Sequence, residues 1–182
     1  IKNIGVSNET PYGILKFLQT MKNFKYDGNL FLQNPINLLS PGFVLTLQEI
    51  CFREKICVQA HSPLAFGLLS EYKINQIKGK YEVDKLSRSF VYGDYFTRYD
   101  SERLNDFLIE LDKLAGEKDI SIYDLAYGFL LNDSTISHIV IGPRTIAQLR
   151  QSIKSIQEFE QKIHLYSKDL FQLIEKYSIL SY

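Results

Sequence analysis

Short β-like runs alternate with helix-length amphipathic stretches through the whole of this sequence, and that alternation restricts the fold more than any other feature. It argues for an α/β architecture built on a parallel sheet. Residues 2–6, 30–33, 56–60 and 137–141 read as strands. Helical spacing of apolar residues marks 44–53, 101–118 and 146–156, and a helix starts at Thr10-Pro11, with Thr as N-cap and Pro in the first turn. Ser121 with Asp124, and Thr145 with Gln148, read as capping boxes, and Ser167 reads as the cap of a last helix. The stretch from residue 72 to 100 lacks periodicity and reads as a long loop, a feature usually reserved for lids and binding loops.

The length of 182 residues suits one domain with a real core. It falls short of the about 250 residues of a closed (β/α)₈ barrel, and about four parallel strands amount to half of one. An open half barrel keeps unpaired strand edges and an uncovered face. Ile4, Val6, Leu32, Val58 and Ala60, or their neighbours, are expected to point to that uncovered, barrel-interior side. Ile1 stands immediately before the first strand, which predicts that the chain continues upstream in a longer protein.

Lys and Arg total 21 and so do Asp and Glu, so no basic excess points to nucleic acid or an anionic membrane. No apolar run reaches the ~18 residues of a membrane span, and no signal peptide is evident, which together predict a cytoplasmic protein. Cys51 and Cys57 form no CxxC pair and read as reduced, buried thiols. The three histidines have no metal-site spacing.

In parallel βα units, function collects where strands end. Ser7 and Asn8 follow the first strand and Gln33 ends the second. His61, Ser62, Pro63 and Leu64, then Gly67, Leu69 and Ser70, follow the third. Gly142, Arg144 and Thr145 follow the fourth and open a capped helix. Side-chain amides pair with a carboxamide, which both donates and accepts. A helix N-terminus beside an Arg suits a phosphate. Together these imply a site for an amide-bearing, phosphorylated ligand. Taken singly, Ser7-Asn8 is also a turn-and-cap pair, and His61 is a hydrogen-bonded structural histidine for which no convincing acid or nucleophile partner is identifiable.

Four segments carry a resemblance: Ile4-Gly5-Val6-Ser7-Asn8-Glu9-Thr10-Pro11, Gln33-Asn34-Pro35-Ile36-Asn37-Leu38-Leu39, Ser62-Pro63-Leu64-Ala65-Phe66-Gly67-Leu68-Leu69-Ser70 and Ile139-Val140-Ile141-Gly142-Pro143-Arg144-Thr145. In this order and spacing the chain resembles the bacterial aldo-keto reductases over essentially its whole length. The resemblance implies the C-terminal half of a (β/α)₈ TIM barrel, its fifth to eighth strands, with residues 1–182 as a partial domain. It implies that Ser7, Asn8 and Gln33 hold the nicotinamide carboxamide and that Ser62 to Ser70 wrap the pyrophosphate. Arg144 and Thr145 would approach the 2′-phosphate of NADPH, with Gln148, Gln151 and Ser152 near the adenosine end. The catalytic Asp, Tyr, Lys and His of the family belong to its first four strands, so no catalytic residue is assigned here.

Four positions depart from the family pattern. His61 stands where an aromatic residue usually stacks on the nicotinamide. Glu71 replaces a common Gly near the expected phosphates, and Gln151 and Ser152 replace a usual Glu and Asn. Tyr95, Phe96 and Tyr99 resemble a family segment without an assignable role. The resulting expectation is part of an NADP(H)-dependent oxidoreductase acting on a small-molecule carbonyl, inactive by itself. The alternatives are a non-catalytic half barrel, either a truncated product or a remnant that binds cofactor or a partner, and a module that pairs with a separate N-terminal half; the chain alone is expected to self-associate or pack loosely.

Overall fold

The computed structural model describes residues 1–82, 91, 101–162 and 167–177. Tyr95, Phe96, Tyr99 and His164 lie outside the described residues. The elements run β1 (Asn3–Ser7), α1 (Pro11–Asn23), β2 (Asn29–Pro35), α2 (Gly42–Thr46), α3 (Gln48–Arg53), β3 (Cys57–His61) and a 3₁₀ turn (Ala65–Gly67). After these come α4 (Glu71–Ile77), α5 (Ser101–Glu117), α6 (Ile122–Leu131), β4 (Ile136–Val140), α7 (Ile146–Gln157), α8 (Phe159–Lys162) and α9 (Ser167–Tyr177).

All neighbouring strands pair in parallel, in the order β1-β2-β3-β4. Sequential order without a reversal separates this sheet from doubly wound folds, whose strand order reverses at a switch point. It is the order of a contiguous barrel segment, as expected for half of a (β/α)₈ barrel. Between β3 and β4 the register slips once: Val58 pairs Ile136, yet Gln59 pairs His138. The extra residue, Ser137, is a bulge that brings His138 into line with Gln59.

The core lies between the sheet and its helices. Leu30 and Leu32 of β2 and Val58 and Ala60 of β3 are buried there with Ile14 of α1, Cys51 of α3, Ile74 of α4, Phe107 and Leu111 of α5 and Leu125 of α6. Ile4 and Val6 pack against the same cluster. These residues therefore face the chain's own helices and not a barrel interior, which corrects the sequence expectation. Alternation alone does not say which face of a strand is which. The opposite face carries Ser7, Gln33, Gln59 and His138 in one polar register row, beside the row of Gly5, Phe31 and Cys57.

Local chemistry explains two further differences. The helix expected over 44–53 breaks at Leu47 into α2 and α3. The Thr46 hydroxyl donates to the Gly42 carbonyl at 2.7 Å, back-bonding of the kind that bends helices. In the stretch read as loop, Ser70 caps α4, its hydroxyl accepting from the Lys73 N–H. Only Ile74 of α4 is buried, too little to leave a periodic signal. The Ser121–Asp124 capping box forms as expected, and α9 begins at Ser167 itself. No helix among the described residues is long and apolar enough to cross a membrane.

Candidate functional site

The C-terminal ends of β1, β2 and β3 are tied together by two asparagines. Asn34 is buried; its Nδ2 donates to the Glu9 carbonyl and its Oδ1 accepts from the Glu9 N–H, both at 3.1 Å. Asn37, 2% exposed, donates from Nδ2 to the Ser62 carbonyl at 3.0 Å and accepts from the Leu39 N–H at 3.0 Å. The Gln33–Leu39 segment thus clasps the loop after β1 with one amide and the loop after β3 with the other. Sequence reasoning quoted both asparagines inside a motif without seeing this.

The clasped loops present the polar row. Ser7 Oγ donates to the Gln33 carbonyl at 3.0 Å, Asn8 Nδ2 donates to Ser7 Oγ at 3.2 Å, and Gln33 Nε2 donates to Gln59 Oε1 at 3.1 Å. Gln59 was missed from sequence because its place in this row depends on register. Asn8 (φ 56) and Ser62 (φ 56) are in the left-handed region, as are Ala65, Phe66 and Gly67 after β3. Such a run of costly backbone persists where surrounding bonds fix it, and it concentrates at ligand-binding loops.

Beyond β3 a cavity of about 690 Å³ opens, a size common for cofactor sites. His61, Ser62, Pro63, Leu64, Gly67 and Ser70 line one side; Gly142, Arg144, Gln148, Gln151 and Ser152 line the other. Ser7, Asn8 and Gln33 stand in the polar row outside this lining. Leu69 is wholly buried in the core. The Thr145 hydroxyl caps α7, accepting from the Gln148 N–H at 3.2 Å. The Gln148 carboxamide reaches back to accept from the Arg144 N–H at 2.8 Å, one residue before the cap. The first turn of α7 holds no acidic residue, which keeps its positive end unopposed.

Further lining residues escaped sequence reasoning: Lys73 and Gln76 of α4, and Tyr123 and Tyr127 of α6. The i, i+4 spacing of the two tyrosines on a capped helix was the available signal. Burial raises the pKa of both phenols, and the Glu71 carboxylate adds to the effect at Tyr123. Burial lowers the pKa of His61, whose Nδ1 lies 2.9 Å from Ser62 Oγ. Cys51 is inert, its thiol pushed up to about 11 by burial and then by Asp133. Cys57 is half-buried and free, not fully buried as expected. The described residues hold no cluster of His, Cys, Asp or Glu suited to a metal.

A match to the Aldo/keto reductase family runs over residues 1–168. The chain belongs to that family. Among the relatives of this aldo/keto reductase chain is Protein tas of Escherichia coli (strain K12), 27% identical over 156 residues, which cover 86% of this chain and 43% of the relative. An aldo-keto reductase of Babesia bovis is 28% identical over 165 residues, covering 84% of this chain and 54% of that protein. The chain thus spans about half the length of the curated relatives it matches. A solved aldo-keto reductase from Bacillus halodurans, in its holo form, superposes with a TM-score of 0.61 at 15% identity, over 95% of this chain and 49% of its own. That likeness establishes the fold: four parallel strands and their helices, part of an aldo-keto reductase (β/α)₈ barrel.

Proposed function

We propose that this chain forms the cofactor-holding part of an NADP(H)-dependent aldo-keto reductase that reduces a small carbonyl compound. The observation that carries the reading is the cavity at the strand ends, with Arg144 and Gln148 at the start of α7 on one side and the Ser62–Ser70 loop on the other. These residues fit a dinucleotide. Nothing lies within 4 Å of where a Cβ would stand at Gly67 or Gly142, so the backbone there is open to close approach. Arg144 and the amide ends of α7 supply positive charge for a phosphate, and guanidinium favours paired contacts with phosphate oxygens.

When bound, the cofactor supplies hydride for transfer to a carbonyl carbon. The residues of this chain do the holding. Ser7, Asn8 and Gln33 offer hydroxyl and amide groups for a carboxamide, and the asparagine clasps fix their backbone. Burial lowers the pKa of His61, which favours its neutral form, and the residue borders the cavity. Proton donation to the substrate is not assigned to any residue of this chain. NADP(H) preference rests on Arg144, and isothermal titration with NADPH and NADH tests it. Tighter NADPH binding supports the reading, and absence of binding by either cofactor overturns it.

We also propose that the two flanks of the sheet meet further βα units, which close the barrel. Support comes from α7, whose buried positions are Ser152 and Ser155 while Ile146, Leu149 and Ile153 are exposed. Helices in water normally show the reverse arrangement. On the other flank, α1 leaves Tyr12 and Leu15 exposed beside the free edge of β1. Sedimentation of this chain alone tests the idea: self-association, or capture of the complementary half, supports it. A compact monomer with sharp near-ultraviolet dichroism overturns it.

A further inference from the structure

One wall of the cavity has no role in the scheme above. Tyr123 and Tyr127 share a face of α6, with ring centroids 6.4 Å apart and planes inclined by 42°. Tyr127 is 1% exposed, and its hydroxyl donates to Ser152 Oγ on α7 at 2.8 Å. That bond fixes the inner ring across two helices. Tyr123, half-buried, lies against it and borders the cavity.

We infer that Tyr123 is the stacking platform for the base of the nucleotide cofactor, with Tyr127 and Ser152 as positioning residues that hold it; the inference rests on the cofactor reading above. Aromatic faces carry negative potential, so they repel phosphate and accept a flat heteroaromatic ring. The Glu71 carboxylate, close enough to act on the Tyr123 phenol, also turns phosphate away from this wall. Phosphates are thereby directed towards Arg144, and the base towards the tyrosines. The Ser152 hydroxyl accepts from Tyr127, which leaves the Gln151 amide on the same wall as the group able to read the edge of a base. Recognition through one ring face and one amide holds a base without reading its edge closely.

Calorimetric titration of the full chain tests this with two probes. Adenosine 2′,5′-bisphosphate carries an adenine for the platform; nicotinamide mononucleotide carries no adenine, and its pyridinium ring belongs with the carboxamide-binding groups at the strand ends. Tyr123→Leu should weaken the bisphosphate roughly tenfold or more, the scale of losing one aromatic–base stack, and leave the mononucleotide unchanged. Tyr123→Phe keeps the ring and should restore binding to within about twofold of the parent. Tyr127→Phe and Ser152→Ala remove the same bond and should cause equal, smaller losses. The inference is overturned if Tyr123→Leu leaves bisphosphate binding intact, or if it weakens both probes alike, as a merely structural residue would. A parent chain that binds neither probe overturns the cofactor reading, and this inference with it. A parent that binds both while Tyr123→Leu binds equally well overturns the platform alone.

Discussion

The strand ends of β1 to β3 and the wall formed by α6 and α7 lie at the same end of the sheet, but different forces hold them. At the strand ends, buried amides bond to backbone groups of neighbouring loops, so geometry is fixed atom by atom. At the α6–α7 wall, whole helices dock: a Tyr127–Ser152 hydroxyl bond joins α6 to α7, and a Lys162–Asp124 ion pair ties α6 to α8. Loss of a clasp should therefore damage fold and ligand binding together. Loss of a group that borders the cavity should damage binding and spare the fold.

The largest effect is expected for Asn37→Ala. It strips the Leu39 N–H of its acceptor and the Ser62 carbonyl of one of its two donors, the Ala65 N–H at 2.9 Å being the other, at a site 2% exposed. A buried group left unsatisfied costs about 1–3 kcal/mol and a lost second hydrogen bond about 0.5–1.5 kcal/mol, so urea unfolding should show a loss of about 3 kcal/mol. Binding should fall in parallel because the Ser62 loop lines the cavity. An unfolding midpoint like the parent's would mean that water replaces the clasp, and the contrast between the two regions would collapse.

Arg144→Ala comes next and acts in the opposite way. Arg144 is exposed, so stability should move by less than about 0.5 kcal/mol. NADPH affinity should fall by about 1.5–3 kcal/mol while NADH affinity hardly changes. Equal losses for both cofactors would show that Arg144 does not read the 2′-phosphate.

The same contrast explains what the sequence disclosed. Local rules were readable: the Thr10-Pro11 start, the Ser121–Asp124 box and the Thr145 cap all involve residues three or fewer apart, and all formed. The strand ends were readable as motifs, because Ser7, Asn8, Gln33 and Ser62 follow runs with clear β character. What was lost depends on contacts remote in sequence. The reach of Asn37 to Ser62 spans 25 positions, and so does that of Tyr127 to Ser152. The inside and outside faces of the strands were reversed in expectation, since a period of two is symmetric until helices cover one face. The α7 stripe of Ile146, Leu149 and Ile153 follows helical spacing yet faces outward, so periodicity gave the helix but not its buried side.

Acid should separate the regions at a smaller scale. Asp124 is 6% exposed. Burial pushes its pKa up, but the Ser121 N–H at 2.8 Å, the Ser121 hydroxyl and the Lys162 ammonium outweigh that and leave it lowered. A lowered carboxyl pKa adds stability that is fully present above the ordinary Asp range near 4 and is lost as pH falls through the folded value. Asp124→Asn should therefore flatten the acid limb of a stability-against-pH curve and cost about 1 kcal/mol at neutral pH, the usual worth of a cap. An unchanged acid limb would show that the α6 cap and its tie to α8 do not depend on this carboxylate.

The smallest expected effect belongs to His61, which stands between the two regions: it ends β3 and borders the cavity. Burial lowers its pKa, so the folded protein holds fewer protons at this site than the unfolded chain does. Linkage fixes the sign. Stability is independent of this group well above the ordinary His value of about 6.5, and it declines as pH falls from there towards the lower folded value. The clasped region should feel the change through Ser62, whose hydroxyl lies 2.9 Å from His61 Nδ1 and whose carbonyl Asn37 holds. In unfolding experiments at pH 5 and 7.5, His61→Gln should lose part of the parent's pH dependence and keep the stability that the parent has at pH 7.5. If parent and variant show the same difference between the two pH values, the imidazole takes up its proton equally in the folded and unfolded chains, and the strand ends are insensitive to its charge.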